Sequence, residues 1–275
     1  MNLVSNNNLN LSCWSAPFQT NDIPLSEYIK NYKQPPYLNK TLRGNKLKEY
    51  LAQFDCIPFT QLQKNALVGT LLGDGNLECR SNNVRFTFSQ GRGRERNKNW
   101  DFSGMVKSIR KEYVYLLYTI FVDYVGSSPQ IYIHNGNPLY FWFHTFGIKK
   151  LNYYMDQFYV KDSPKKGKFT KIVPKNIELM LNAEVLSFWF CDDGSKTPYG
   201  YKLSTDGFNE LDVIRLQQAL ENVFGLKVNL GSSFNKKTKK TYYRLFILAS
   251  SRDDFTRLVE PNMIETMKYK LHPIR

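Results

Sequence analysis

The sequence predicts an α+β protein made of two pseudo-symmetric half-domains. Each runs helix, two strands, helix, two strands, helix (αββαββα), with antiparallel sheets and with the two leading apolar helices packed together. Three observations carry this reading. An apolar run ending in Asp-Gly occurs twice, as Leu67-Val-Gly-Thr-Leu-Leu-Gly-Asp74-Gly75 and as Leu186-Ser-Phe-Trp-Phe-Cys-Asp-Asp193-Gly194. The two aspartates lie 119 residues apart, about the length of one small domain. The stretches that follow the two runs then match each other, element for element.

Each run begins downstream of a proline, Pro58 or Pro174, and ends on a glycine, Gly75 or Gly194, where a helix C-terminal glycine belongs. Strand-like runs follow at 84–90 and 201–208, then helical runs at 111–125 and 212–224. Each half next offers a hairpin. One joins 130–134 to 139–145 through Asn135-Gly136-Asn137-Pro138, and the other joins 227–234 to 242–249 through a lysine-rich turn. Helical runs at 148–159 and 252–259 close the halves. From Asp74 to Phe121 is 47 residues, and from Asp193 to Phe224 is 31. The 16-residue excess fits an extra basic loop around Gly91-Arg-Gly-Arg-Glu-Arg-Asn-Lys98. The expected organisation is an N-terminal extension (1–54, partly disordered), half-domains at 55–159 and 174–275, and a linker at 160–173.

Composition narrows the function. Lys and Arg number 38 against 24 Asp and Glu, a net charge of +14, which calls for a polyanionic partner, nucleic acid first. The most apolar stretch, 113–126, is interrupted by Asp123 and is shorter than the ~20 residues of a membrane-spanning helix. Four scattered cysteines form neither a disulfide framework nor a zinc site and read as free buried thiols. The first 20 residues carry no Lys, Arg, Asp or Glu, unlike a secretory or transit signal. The abundance of Asn, Lys, Tyr and Phe fits an AT-rich genome, so the expected location is a mitochondrion or chloroplast whose own genome encodes the chain.

The acids sit in an odd place. A carboxylate in the last turn of a helix opposes the negative end of the helix dipole. If the two apolar helices pack, Asp74 and Asp193 arrive side by side, and two such carboxylates repel unless a proton or cation lies between them. A divalent metal is the strongest candidate. Both helices also carry small residues four apart, Gly69/Gly73 and Ser187/Cys191, which permit close backbone approach.

The paired runs resemble the two motifs of the LAGLIDADG homing endonucleases in their single-chain form, and the likeness extends over roughly residues 55–275. The resemblance implies that Asp74 and Asp193 are the catalytic acids and metal ligands, with the preceding Gly73 and Asp192 completing the metal set. The implied ion is Mg2+, with Mn2+ or Ca2+ able to substitute in binding. It also implies a saddle in which a four-stranded antiparallel sheet from each half lies along double-stranded DNA. Lys171, in Lys171-Ile-Val-Pro174, and Lys270, in Met267-Lys-Tyr-Lys270, match lysines that flank the active site in similar relatives and stabilise charge on the phosphate. Ser204 is placed to position water in the second half, and Thr87 or Gln90 in the first. Strand alternation puts those two on opposite faces, so both cannot enter the groove.

The DNA surface is read from strand parity. Gln130, Tyr132 and His134 face outward, with Ile131 and Ile133 inward. Asn229 and Ser232 lie in a small, polar strand. Arg80, Arg85, Lys202 and Arg244 read guanines or hold phosphates, Lys236, Lys237, Lys239 and Lys240 form a phosphate-holding hairpin tip, and Arg92 and Arg94 stand in the basic loop. Asn76 and Glu78 after the first motif, and Ser195 and Lys196 after the second, complete the set. The function implied is a metal-dependent, sequence-specific double-strand DNA endonuclease, a monomer that cuts one strand per half-domain on a long target. The alternative is an RNA maturase that helps its host intron RNA to fold.

The second half closes its repeat without the basic loop, so deleting 91–99 should leave folding intact. Binding should weaken by a similar factor on every sequence, because such a loop contacts phosphate. Thermal melting, with binding to cognate and scrambled duplexes, checks this.

Overall fold

The computed structural model describes residues 23–33, 40, 42–80, 83–91, 109–134, 137–162 and 168–274. The Asn-rich start, the basic loop with Arg92 and Arg94, and the Asn135-Gly136 turn lie outside the described residues. Two short helices, α1 (Leu25–Asn31) and α2 (Gly44–Ala52), precede the first repeat. The repeat opens at Thr60, whose hydroxyl accepts the Gln63 N–H at 3.1 Å while the Gln63 side chain accepts the Thr60 N–H at 3.1 Å. This capping box starts α3 (Gln61–Leu72), and it satisfies amides that a helix end otherwise leaves open. α3 is apolar nearly all round and buried from Asn65 to Leu72, as a central helix must be.

The chain then runs β1 (Asn76–Arg80), β2 (Asn83–Gly91), α4 (Ile109–Ile120), β3 (Gln130–His134), β4 (Asn137–His144) and α5 (Lys150–Phe158). A two-stranded ribbon, β5 (Tyr159–Lys161) with β6 (Phe169–Lys171), crosses the stretch expected to be a linker. After the short α6 (Ile177–Met180) comes α7 (Ala183–Asp193), capped by Asn182 through the Val185 N–H at 3.0 Å. The second repeat continues as β7 (Gly194–Lys196), β8 (Tyr201–Ser204), α8 (Glu210–Phe224), β9 (Val228–Asn235), β10 (Lys240–Ile247) and α9 (Arg252–Val259). Short 3-10 segments at 260–262 and 265–270 follow it.

Both halves are therefore αββαββα. Their antiparallel sheets have the same order, β1-β2-β4-β3 and β7-β8-β10-β9. Each sheet is one-sided: Val84, Phe86 and Phe88 enter the core while Arg85, Thr87 and Ser89 between them face out. The core is continuous across the two halves. α3 and α7 cross at its centre, and repeat partners bond across the seam, the Asn65 amide donating to Glu184 at 2.7 Å. α1 is tied to the same point by its Leu25 N–H on Glu184, also at 2.7 Å. α2 rests on the first half, its Tyr50 hydroxyl donating to the Asp123 carbonyl at 2.8 Å.

Several expectations change. Neither Gly75 nor Gly194 adopts the left-handed conformation of a helix-ending glycine, and Gly194 is extended (φ −79°, ψ 149°). Both are small because of crowding: a Cβ would sit 2.8 Å from the Thr70 carbonyl at Gly75, and 2.4 Å from the Phe190 carbonyl at Gly194. Of the two small-residue pairs, only Gly69/Gly73 lies in the helix seam. Ser187 turns away and donates to the Val259 carbonyl. Ile133 is 50% exposed, because a register shift between Tyr132 and Ile133 lifts the end of the edge strand off the core. Cys56 and Cys79 are exposed, and only Cys191 of the described cysteines is buried. No described helix is long and apolar enough to cross a membrane.

A Cβ at Gly69 would lie 2.5 Å from the Val185 carbonyl and 2.6 Å from the Phe188 Cβ, both fixed parts of α7. Gly69→Ala should therefore push the helices apart and destabilise by about 2 kcal/mol or more, despite alanine's better helix propensity. Chemical denaturation measures this directly.

Candidate active site

The seam between α3 and α7 ends in a cluster of charge. α3 stops at Leu72, so Asp74 stands just past its end, while α7 continues through Asp193. Gly73 has no side chain, and the Asp192 carboxylate takes the space: a Cβ on Gly73 would meet the Asp192 Cβ at 2.4 Å. From there Asp192 Oδ2 accepts the Asp74 N–H at 3.1 Å, while its Oδ1 is buried with no hydrogen-bond partner among the described residues. The Asp74 carboxylate accepts a short hydrogen bond from the Gln90 side-chain amide.

Two lysines close the helix ends. Lys171, the last residue of β6, donates to the carbonyls of Gly73 (3.1 Å) and Gly75 (2.7 Å). Lys270, in the final 3-10 segment, is buried and donates to the carbonyls of Phe190 (3.3 Å), Cys191 and Asp192 (3.2 Å). Each ammonium thus sits at the negative end of one central helix.

The carboxylates pay electrostatically for their proximity. Burial and then the charge of Asp74 push Asp193 up to about 7, against the pull of Lys171 and Lys270. Burial, with the charges of Asp74 and Asp193, holds Asp192 well above the usual carboxylate range. Burial of its ammonium lowers Lys171 to about 8, with Asp193, Asp192 and Asp74 acting in the opposite direction. Among the described residues no group of three His, Cys, Asp or Glu side chains is gathered as a metal cage. The donors present are the exposed Asp74 carboxylate, the half-buried Asp193 carboxylate and backbone carbonyls, all hard oxygens that crowd negative charge. That chemistry fits a divalent cation such as Mg2+ or Ca2+. Gly73 can offer only its carbonyl, which already accepts from Lys171, and the Asp192 side chain is engaged with the Asp74 backbone.

The remaining candidates separate by face. Gln90 lies at a core-facing position of β2, buried, and reaches Asp74; Thr87 faces outward and donates to the Asn76 carbonyl. Ser204 faces outward, whereas its neighbour Thr205 is buried. Asn76 is exposed at the start of β1, where its side chain accepts from Tyr159, and Arg80 ends that strand. Glu78 and Arg85 stand opposite each other and form an ion pair at 2.8 Å, as Arg244 does with Asp206 at 2.9 Å. Gln130, Tyr132 and His134 are exposed on β3. Ser195, Lys196 and Lys202 pair across β7 and β8, and Asn229 opposes Phe246. Lys236, Lys237, Lys239 and Lys240 surround the exposed β9–β10 turn, with Lys239 at a positive φ of 54°. Ser232 is exposed on β9, opposite Tyr243. Sequence reading passed over Tyr140, Trp142 and Tyr242, which alternate with core residues along β4 and β10. That alternation was the available signal.

The profile of the LAGLIDADG DNA endonuclease family matches residues 64–255, and the chain belongs to that family. It is 27% identical over 226 residues to DNA endonuclease I-ChuI of Chlamydomonas applanata, covering 77% of this chain and 95% of that protein. It is 26% identical to the cytochrome b mRNA maturase bI2 of Saccharomyces cerevisiae, over 89% of this chain and 56% of that one. Among solved structures it resembles the homing endonuclease I-WcaI bound to its DNA recognition sequence. The TM-score is 0.64 at 25% identity, covering 84% of this chain and 93% of that one. Enzymes of this family generally depend on a divalent metal.

Because Asp193 is crowded by like charge, Asp193→Asn should leave stability at pH 8 unchanged or raised, by on the order of 1 kcal/mol, while double-strand cutting is lost. Urea denaturation beside a cleavage assay checks both parts.

Proposed function

We propose that this protein is a homing endonuclease that makes a double-strand break at a long, specific DNA site, each half-domain cutting one strand. The observation that carries the reading is the meeting of two carboxylate-bearing helix ends, each with its own lysine, between two one-sided sheets. The half-domains are 55–159 and 174–275, joined through 160–173 and preceded by the extension 1–54. Their sheets lie along the duplex, with Arg80, Arg85, Lys196, Lys202, Arg244 and the β9–β10 lysines holding phosphates or base edges. Asp74 and Asp193 hold Mg2+, with Mn2+ or Ca2+ able to replace it in binding. When bound, the cation polarises the phosphate and neutralises charge developing on it. Gln90 fixes the orientation of the Asp74 carboxylate, and Ser204 positions water in the second half. Lys171 and Lys270 add positive charge beside the phosphate as it becomes more negative. The enzyme works as a monomer, and the organellar, intron-encoded character of its relatives supports synthesis in a mitochondrion or chloroplast.

A second reading, RNA maturase, is favoured by the similarity to the yeast cytochrome b mRNA maturase over most of this chain. A plasmid library of candidate sites separates the two. Linearisation that needs Mg2+, is stopped by a chelator and is lost in Asp74→Asn is the expected result. Absence of metal-dependent cleavage, together with stimulation of intron splicing, would establish the maturase reading instead.

A further inference from the structure

The two sheets share one plan, yet their outer faces differ in chemistry at matching places. Asn76 and Ser195 each follow a motif glycine directly, and they oppose Thr87 and Lys202. Two residues further along β2 and β8 stand Ser89 and Ser204, which therefore occupy the same place in the two sheets. Ser89 opposes Trp142 on β4, and Ser204 opposes Arg244 on β10. Trp142 and Arg244 are thus repeat partners on the outer face, although no 119-residue spacing relates them.

Their surroundings suit different base edges. Trp142 is stacked on His144 with ring centres 5.3 Å apart and planes 12° apart, and Tyr132 is stacked on Tyr140 at 4.8 Å and 14°. β3 and β4 contain no Lys or Arg, so this part of the face is aromatic and lacks the fixed cations of the other sheet. Arg244 instead faces Gly231 and Ser204, which leave its head uncrowded. Asp206 grips it through Nε at 2.9 Å and Nη2 at 3.1 Å, and a cavity of about 590 Å³ opens beside it. A guanidinium clamped on that side keeps its Nη1–Nη2 edge available, with the spacing of guanine O6 and N7. In the major groove an apolar ring surface distinguishes bases chiefly by the thymine methyl group.

We infer that Trp142 and Arg244 are paired specificity determinants: Trp142 selects thymine in one half of the target, and Arg244, held by Asp206, selects guanine at the matching position of the other half. The target is then chemically asymmetric although the scaffold is nearly symmetric. This inference rests on the DNA-endonuclease reading, and the test keeps the two apart.

Duplexes are selected from randomised DNA in Ca2+ with the wild-type chain, Trp142→Ala, Trp142→Phe and Arg244→Ala, each checked for wild-type-like melting. Trp142→Ala should lose a thymine preference in one half-site, with Trp142→Phe keeping part of it, and Arg244→Ala should lose a guanine preference in the other. The selected duplex is then rebuilt with uracil for thymine at the Trp142-dependent position, which removes only the methyl group. Wild-type affinity should fall several-fold and that of Trp142→Ala should not change, while Arg244→Ala should bind the selected guanine about tenfold more weakly than wild type does. The inference is overturned if uracil has no effect on the wild-type chain, if its effect persists in Trp142→Ala, or if Arg244→Ala weakens all sequences equally. Failure of the wild-type chain to enrich any sequence would overturn the DNA-endonuclease reading itself, and this inference with it.

Discussion

The separation of α3 and α7 governs the centre of this molecule. At Gly69 and Gly73 one helix has no side chains, and the other presses a carbonyl, a phenylalanine and a carboxylate into the gap. Close packing brings two helix C-termini together, and with them three aspartates. Each helix end already carries partial negative charge, so the arrangement is unfavourable until cations are supplied. Lys171 and Lys270 supply them. Both come from outside the αββαββα repeats, one from the ribbon between the halves and one from the segment after α9. The chain beyond the repeats is therefore not decoration, since it carries the ammonium groups that let the two helix ends coexist.

The same contact breaks the symmetry of the site. Asp192 can enter the seam only because its repeat partner is Gly73. As a result the Asp74 backbone is held by a side chain from the opposite helix, whereas Gly73 has no side chain with which to return the contact. Gln90 adds to the difference. It reaches Asp74 from β2, while the corresponding place on the second sheet is taken by Thr205, whose hydroxyl donates to the Tyr243 carbonyl at 2.6 Å. Two aspartates alike in sequence thus have unlike supports.

The repeat was legible because burial imposes period. The apolar runs, the alternation along β2 and the amphipathic spacing of α8 and α9 all mark one buried side. α9 begins and ends where the sequence placed it, at Arg252–Val259. α4 stops at Ile120, short of the expected 125, because the chain tightens into a 3-10 turn at Val122–Tyr124. What sequence left open turned on contacts between distant segments. Gln90 is a polar residue at a core parity, and only the fold shows that Asp74 meets it there. Ile133 departs from its expected face for a related reason: parity predicts a face, but it does not report where a strand slips register. The motif glycines were recognised as necessary, though the cause is crowding by Thr70 and Phe190 rather than a left-handed turn.

A sheet with one buried face is constrained on that face and much freer on the other. On the core side the two halves place similar groups at matching positions: Phe88 with Leu203, and Phe143 with Leu245, all buried. Exchanging a large apolar group for a cation there would cost several kcal/mol. On the outer face one residue away, Trp142 and Arg244 occupy equivalent places without disturbing the packing beneath either. A repeated fold can hold its two halves alike where they pack and let them diverge where they meet another molecule. For a protein that binds a duplex along both sheets, this separation allows the readout of each half to change while the helix seam, and the acids it aligns, stay fixed.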